Sequence, residues 1–218
     1  MVTLSLIVEG GVYPENVDAT TASNVEALRQ SLHSFFSRIL KREDVSIKLF
    51  MGHGYRNAAK SFITSDSPIA LFVDSDLPAG NIYKWFDKLV NIQHPEMSII
   101  IPRDRMQYVF FMIQEMEAWF LKQPECMEKW AETEGYTRMD KNMAICDHSV
   151  IKGKEIEEIG KPSQKMAILM KKFFKKGKKG ASYGKLRTSP GLLDAIDTDA
   201  LIAKDKELQR FKRIAENL

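Results

Sequence analysis

Glu9 follows the apolar run Leu4 to Val8, and Asp74 and Asp76 follow the apolar run Ile69 to Val73. A carboxylate at the end of a buried run is costly unless it has a partner. If the two runs are strands of one parallel sheet, their carboxyl ends share an edge, and ligands of such sheets bind outside that edge. The carboxylates of Glu9, Asp74 and Asp76 would repel one another there unless a cation neutralised them. Hard oxygen ligands favour Mg²⁺ or Mn²⁺, and such an ion can orient a phosphate, activate water and stabilise a leaving oxygen. The Asp-x-Asp spacing suits this, because alternate side chains of an extended turn point to one side. The same spacing also serves helix caps and turns, and here Asp76 precedes Pro78 and a predicted helix. The set Glu9, Asp74 and Asp76 is therefore expected to be both catalytic and metal-binding.

The elements that must position these acids follow from periodicity. Strand one is Leu4 to Val8. A capping box of Ser23 and Glu26 predicts the start of helix one, whose apolar face carries Val25, Leu28, Leu32, Phe35, Phe36 and Ile39 at helical spacing. Strand two, Val45 to Phe50, alternates and ends in the Gly52-His53-Gly54 turn. Helix two is expected over Tyr55 to Ile63. Strand three, Ile69 to Val73, is continuously apolar, as a central parallel strand should be. Helix three covers Asn81 to Asn91, strand four Met97 to Ile101, and a further strand Tyr108 to Met112 runs into Gln114 to Trp119. The alternation of strand and helix predicts an α/β fold with a mostly parallel four-stranded sheet flanked by helices, with Glu9 and Asp74 at adjacent strand ends. Residues 1–122 form the expected catalytic core. Residues 123–218 form a helical, basic extension packed on it, with helices near Pro124, over Pro162 to Phe174, Gly191 to Ala203 and Lys206 to Asn217.

The chain has 218 residues, with 44% hydrophobic and 28% charged, enough for one sizeable core or for one core with an appended lobe. Its apolar runs are too short to span a bilayer. The N-terminal run lacks a basic flank and a small-residue cleavage site, so no signal peptide is expected. Cys126 and Cys146 show no zinc spacing and suit a reducing compartment; a cytoplasmic location follows as an expectation. Nothing resembles a Walker loop, so ATP hydrolysis would have to come from elsewhere.

Charge is unevenly spread. The net charge is +3, yet Lys161 to Arg187 holds ten Lys or Arg and no acid, leaving 22 basic against 29 acidic residues elsewhere, a net of −7. A strip of this kind either attracts phosphate backbones or is a solvated face. Lys161, Lys165, Tyr183 and Lys185 are candidates for phosphate contacts, and Lys171, Lys172, Lys175 and Lys176 for non-specific electrostatic attraction. Phe173 and Phe174 read as the apolar face of a helix with Ile168 and Leu169. Glu115 and Glu117 are further candidate metal ligands if they lie at the sheet edge. On a helix they would diverge by about 200° and could not share an ion. His53, between two glycines after strand two, could approach a phosphate.

A strand ending in Val8-Glu9-Gly10 and another ending in Val73-Asp74-Ser75-Asp76 resemble the Toprim fold of topoisomerases, primases and overcoming-lysogenization-defect nucleases. The segments Glu115 to Leu121, Lys161-Pro162-Ser163 and Tyr183-Gly184-Lys185 resemble the Toprim-like family known as domain of unknown function 4276. The resemblance covers most of the chain. It implies that the Glu acts as acid/base or metal ligand, that the Asp pair binds Mg²⁺, and that the protein works beside an ATPase partner in bacterial phage defence. Relatives usually carry a second acid just after the Val-Glu-Gly turn; here Glu15 is a displaced candidate.

The resulting expectation is a Mg²⁺- or Mn²⁺-dependent phosphodiesterase, a nuclease acting on DNA or RNA. The alternative is a non-catalytic partner or regulator of an ATPase with a degenerate metal site. A phosphatase of the haloacid dehalogenase type also uses Asp-x-Asp, but it needs a nucleophilic Asp at the end of strand one, where this chain has Glu9.

Overall fold

The computed structural model describes residues 2–10, 18–65 and 69–217. The fold is α/β. Four parallel strands, β1 (Val2–Val8), β2 (Val45–Met51), β3 (Ile69–Asp74) and β4 (Val109–Met112), form a sheet in the order β2-β1-β3-β4. β1 and β3, the two central strands, are buried on both faces, which is why they read as unbroken apolar runs. Their side chains alternate between two cores. Leu4, Leu6, Val8, Phe72 and Phe110 face helix α1 (Ala19–Leu40) and the C-terminal helices. Ile7, Leu71, Val73 and Phe111 face helix α2 (Tyr55–Thr64) and a 3-10 helix over Ala79–Leu89.

Several boundaries differ from the sequence expectation. Helix α1 begins at Ala19, capped by Asp18, whose carboxylate accepts from Thr21 N–H. Glu26 instead pairs with Arg29 and Gln30 along the exposed face, so the Ser23–Glu26 box does not form. The run Met97 to Ile101 is not a strand. It alternates Ile99 and Ile101 into the second core with Met97 and Ile100 outward, but the place beside β3 belongs to β4. The fourth strand is therefore the run expected as the fifth.

Helices α3 (Glu117–Lys122), α4 (Glu125–Thr133), α5 (Pro162–Phe173), α6 (Lys185–Ala195), α7 (Thr198–Ile202) and α8 (Lys206–Ala215) build the C-terminal half. A second, antiparallel sheet of β5 (Thr137–Arg138), β6 (Phe174–Lys176) and β7 (Lys179–Gly180) has no counterpart in the sequence expectation; its strands are too short to carry a period. Phe174 is thus a strand residue, and Ile168 is exposed, whereas Leu169 and Phe173 are buried. The extension is continuous with the first core. Phe211 of α8 packs edge-on against Phe36, Phe72 and Phe110, with ring centroids 5.0–5.5 Å apart. α8 also covers the open edge of β4. Glu207 Oε2 accepts from Phe111 N–H at 3.0 Å, and the Arg210 guanidinium donates to the carbonyls of Gln107 and Val109. These side chains satisfy groups that a further strand would otherwise pair with. Among the described residues no helix is long and apolar enough to cross a membrane.

Candidate functional site

The ends of β1 and β3 lie side by side, because Val8 pairs with Phe72 and Glu9 N–H donates to Phe72 O at 2.7 Å. One residue further, Glu9 Oε2 accepts from Asp74 N–H at 3.1 Å. β2 ends at the same edge. Gly52 N–H donates to Val8 O, and a Cβ on Gly52 would lie 2.5 Å from Ala58 Cβ, so the turn admits only glycine without a backbone shift. His53 follows in the left-handed region, with its N–H on Gly10 O, which places it at the edge that carries Glu9.

Asp74 is mostly buried and held from three directions. Its Oδ1 accepts from Met116 N–H at 2.9 Å, its Oδ2 takes the ammonium of Lys185 at 2.9 Å, and its own N–H is engaged by Glu9. Glu117, in the first turn of α3, is fully buried. Its Oε1 accepts the Tyr183 hydroxyl at 2.6 Å, and that hydroxyl lies 2.8 Å from Ser189 Oγ. Its Oε2 has no hydrogen-bond partner and sits 3.8 Å from Lys185 Nζ. α3 is fixed in turn by Lys122, which donates to Asp205 and Glu157 at 2.7 Å each.

Asp76 is different. It adopts a positive φ of 52°, its N–H donates to Gln114 O, and its exposed carboxylate pairs with Lys88 at 2.9 Å. Glu115 lies just before α3, and its Oε2 accepts Ser163 N–H at 2.7 Å. This bond pins the left-handed Lys161 and the first turn of α5 beside the edge. The three scattered segments therefore meet: Glu115 with Ser163, Glu117 with Tyr183, and Asp74 with Lys185.

Electrostatics follow from crowding. Burial and the neighbouring Asp74 push the Glu9 carboxyl up to about 7 from an ordinary 4.5. Burial pushes Asp74 up to about 6, against the pull of Lys185. Burial works against the charged form of Lys185, but Asp74 and Glu117 outweigh it and hold the ammonium protonated above its ordinary range. Burial and Glu117 push the Tyr183 phenol up, so it stays a donor.

Among the described residues, no three acidic, His or Cys side chains are arranged as a ready-made cation cage. The reason is local. Lys185 stands between Asp74 and Glu117, and Asp76 faces Lys88. The donor set nonetheless fits a hard divalent cation, because Glu117 Oε2 is buried without a donor and two neighbouring carboxyls are held above their ordinary range. Glu15 lies outside the described residues.

The basic strip divides. Tyr183 and Lys185 belong to the acidic edge, and Lys161 and Lys165 open α5. Lys171, Lys172, Lys175 and Lys176 sit exposed on the end of α5 and the β6–β7 hairpin. Lys172 lies 3.9 Å from Asp140, and Lys176 donates to Glu134 O. Sequence reasoning missed Ser189, the Met116 N–H and Lys88 as partners of the acids. The first two carry no local signal, and Lys88 reads as an ordinary last-turn helix cation.

The chain matches no family model, no curated protein and no solved structure.

Proposed function

We propose that this protein is a divalent-metal-dependent phosphodiesterase that cleaves nucleic acid at the edge formed by Glu9, Asp74 and Glu117. The observation that carries this reading is the juxtaposition of Glu9 and Asp74 at adjacent strand ends, with both carboxyls held near neutrality. A carboxyl poised near 7 can accept and return a proton at physiological pH, which suits Glu9 for general acid/base work. Asp74 and Glu117 would hold Mg²⁺ or Mn²⁺, with Asp76 released from Lys88 as a further oxygen donor. The bound ion would supply Lewis-acid stabilisation of the phosphate. Lys171, Lys172, Lys175 and Lys176 would hold the phosphate backbone. The likeness of the three converging segments to the Toprim-like family supports this reading and extends it to an ATPase partner and phage defence.

One observation favours the second reading, a non-catalytic regulator of an ATPase. Lys185 fills the space between Asp74 and Glu117, as a permanent salt bridge would in a degenerate site. A cleavage assay separates the two readings. Wild type with Mn²⁺ should cut single- or double-stranded DNA or RNA, and Asp74→Ala should lose more than about 100-fold of the rate, typical of removing a group that stabilises the transition state. Equal cleavage by both proteins, or none by wild type on any substrate, would remove the nuclease reading.

A further inference from the structure

Lys185 is the first residue of α6, 111 positions from Asp74, yet its Nζ is 2.9 Å from Asp74 Oδ2. It also lies 3.8 Å from Glu117 Oε2, the buried oxygen that no donor satisfies. Tyr183, two residues earlier, already occupies the other oxygen of Glu117. One ammonium thus faces two buried carboxylates, and the longer of its two approaches is beyond hydrogen-bond reach. These carboxylates, with Glu115 also acting on the ammonium, outnumber the one monovalent cation and leave negative charge uncompensated in a poorly solvated place. A divalent ion at that position would offset more of it.

We propose that Lys185 is an exchangeable counter-ion, which occupies the cation position between Asp74 and Glu117 and yields it when a divalent ion binds. The inference rests on the metal-dependent reading above. It adds that Lys185 sets the affinity of the site and couples cation binding to α6. Coupling of this kind is reciprocal: whatever strengthens the lysine's hold weakens the metal's, and the reverse.

The test is calorimetric titration of Mn²⁺ into the full chain, with folding checked by circular dichroism. Lys185→Gln removes the competing charge and should bind Mn²⁺ about tenfold more tightly than wild type. Lys185→Arg retains the charge with a planar fork that matches a carboxylate, and should bind Mn²⁺ more weakly than wild type. The opposite sign of this second variant keeps the test decisive if Lys185→Gln folds poorly. Lys171→Gln, which removes an exposed cation that touches none of these acids, controls for general attraction. Raising the salt from 0.1 to 1 M shortens the Debye length from about 10 to about 3 Å, so a gain from local exchange should persist while a long-range gain should fade. Lys185→Gln binding as wild type does, or gaining no more than Lys171→Gln, would overturn the exchange and leave the metal-dependent reading standing. No Mn²⁺ binding by wild type or either Lys185 variant would overturn both.

Discussion

The acidic edge and the basic hairpin carry opposite charges and are built in opposite ways. At the edge, Asp74, Glu115 and Glu117 are fixed by partners far away in sequence. Asp74 is held by Met116 and Lys185, Glu117 by Tyr183, and Glu115 by Ser163. On the hairpin, Lys171 and Lys175 have no ion pair among the described residues, Lys172 reaches Asp140, and Lys176 reaches Glu134 O and the face of the Tyr136 ring. Groups that must be placed to fractions of an ångström need a supporting shell, whereas groups that add potential to a surface do not. On the proposed reading, the edge serves as a site of chemistry and the hairpin as a site of attraction.

The largest effect should come from dismantling the attraction. Replacing Lys171, Lys172, Lys175 and Lys176 together with Gln should weaken binding of single-stranded nucleic acid by about 100-fold in low salt. It should also flatten the dependence of log affinity on log salt by roughly 0.7 for each phosphate that is no longer neutralised. Mn²⁺ affinity should not change, since none of the four touches the acids. Fluorescence anisotropy at several salt concentrations reads the first two and calorimetry the third. A variant that binds as tightly as wild type would make the hairpin a solvated face and leave the edge without its electrostatic counterpart.

The comparison also marks what the sequence could reveal. β1 and β3 are legible because burial on both faces forces unbroken apolar runs, and an acid at the end of such a run stands out. The strand–helix alternation adds that the two acids share an edge, and the structure adds that Glu9 Oε2 meets the Asp74 N–H. The partners of the acids are not legible. The Tyr183-Gly184-Lys185 segment sets Lys185 apart from Lys171 and Lys175 as a candidate, but nothing local pairs it with an acid, and only the packing of α6 against α1 and α4 brings it to Asp74. Met97 to Ile101 misleads for the same reason in reverse. Its alternation is genuine burial of Ile99 and Ile101, but a strand also needs a neighbour to bond with, and periodicity does not report neighbours. The sequence does separate Lys161, Lys165, Tyr183 and Lys185 from Lys171, Lys172, Lys175 and Lys176, but it points the first group at phosphates rather than at Asp74 and Glu117, because charge along a sequence carries no direction in space.

A second, smaller effect probes the edge through its protons. The Glu9 carboxyl is raised to about 7 from an ordinary 4.5. A raised carboxyl binds its proton more tightly in the folded state. That stabilising contribution is complete below the unfolded value and is lost as the pH rises through about 7. Glu9→Gln imitates the protonated form at every pH. Wild type without metal should therefore melt near the variant at pH 5. It should fall behind by on the order of 2 kcal/mol by pH 8, after discounting for partial exposure. Denaturant midpoints across this range measure the gap. A gap independent of pH would mean that Glu9 is an ordinary carboxylate and that the edge is no more specialised than the hairpin.

The smallest effect concerns Asp76, the acid that least resembles its neighbours. Its side chain is 63% exposed, and its pair with Lys88 at 2.9 Å resembles a surface salt bridge. Exposed pairs contribute about 0–1 kcal/mol, so Asp76→Asn should change the melting of the metal-free protein little. Its backbone role persists, because the N–H bond to Gln114 O and the positive φ of 52° do not involve the carboxylate, and Asn tolerates that conformation well. Stability and function can therefore be separated at this residue. If Asp76 leaves Lys88 to join Asp74 around a cation, the variant should lose about tenfold in Mn²⁺ affinity at nearly unchanged stability. If Asp76 only anchors Lys88, both quantities should stay at wild-type values, and Lys88→Gln should leave cation binding equally untouched. Parallel titrations of Asp76→Asn and Lys88→Gln decide between these outcomes. Unchanged affinity in both would confine the cation site to Glu9, Asp74 and Glu117 and assign the Asp-x-Asp spacing here to the turn that leads into the 3-10 helix.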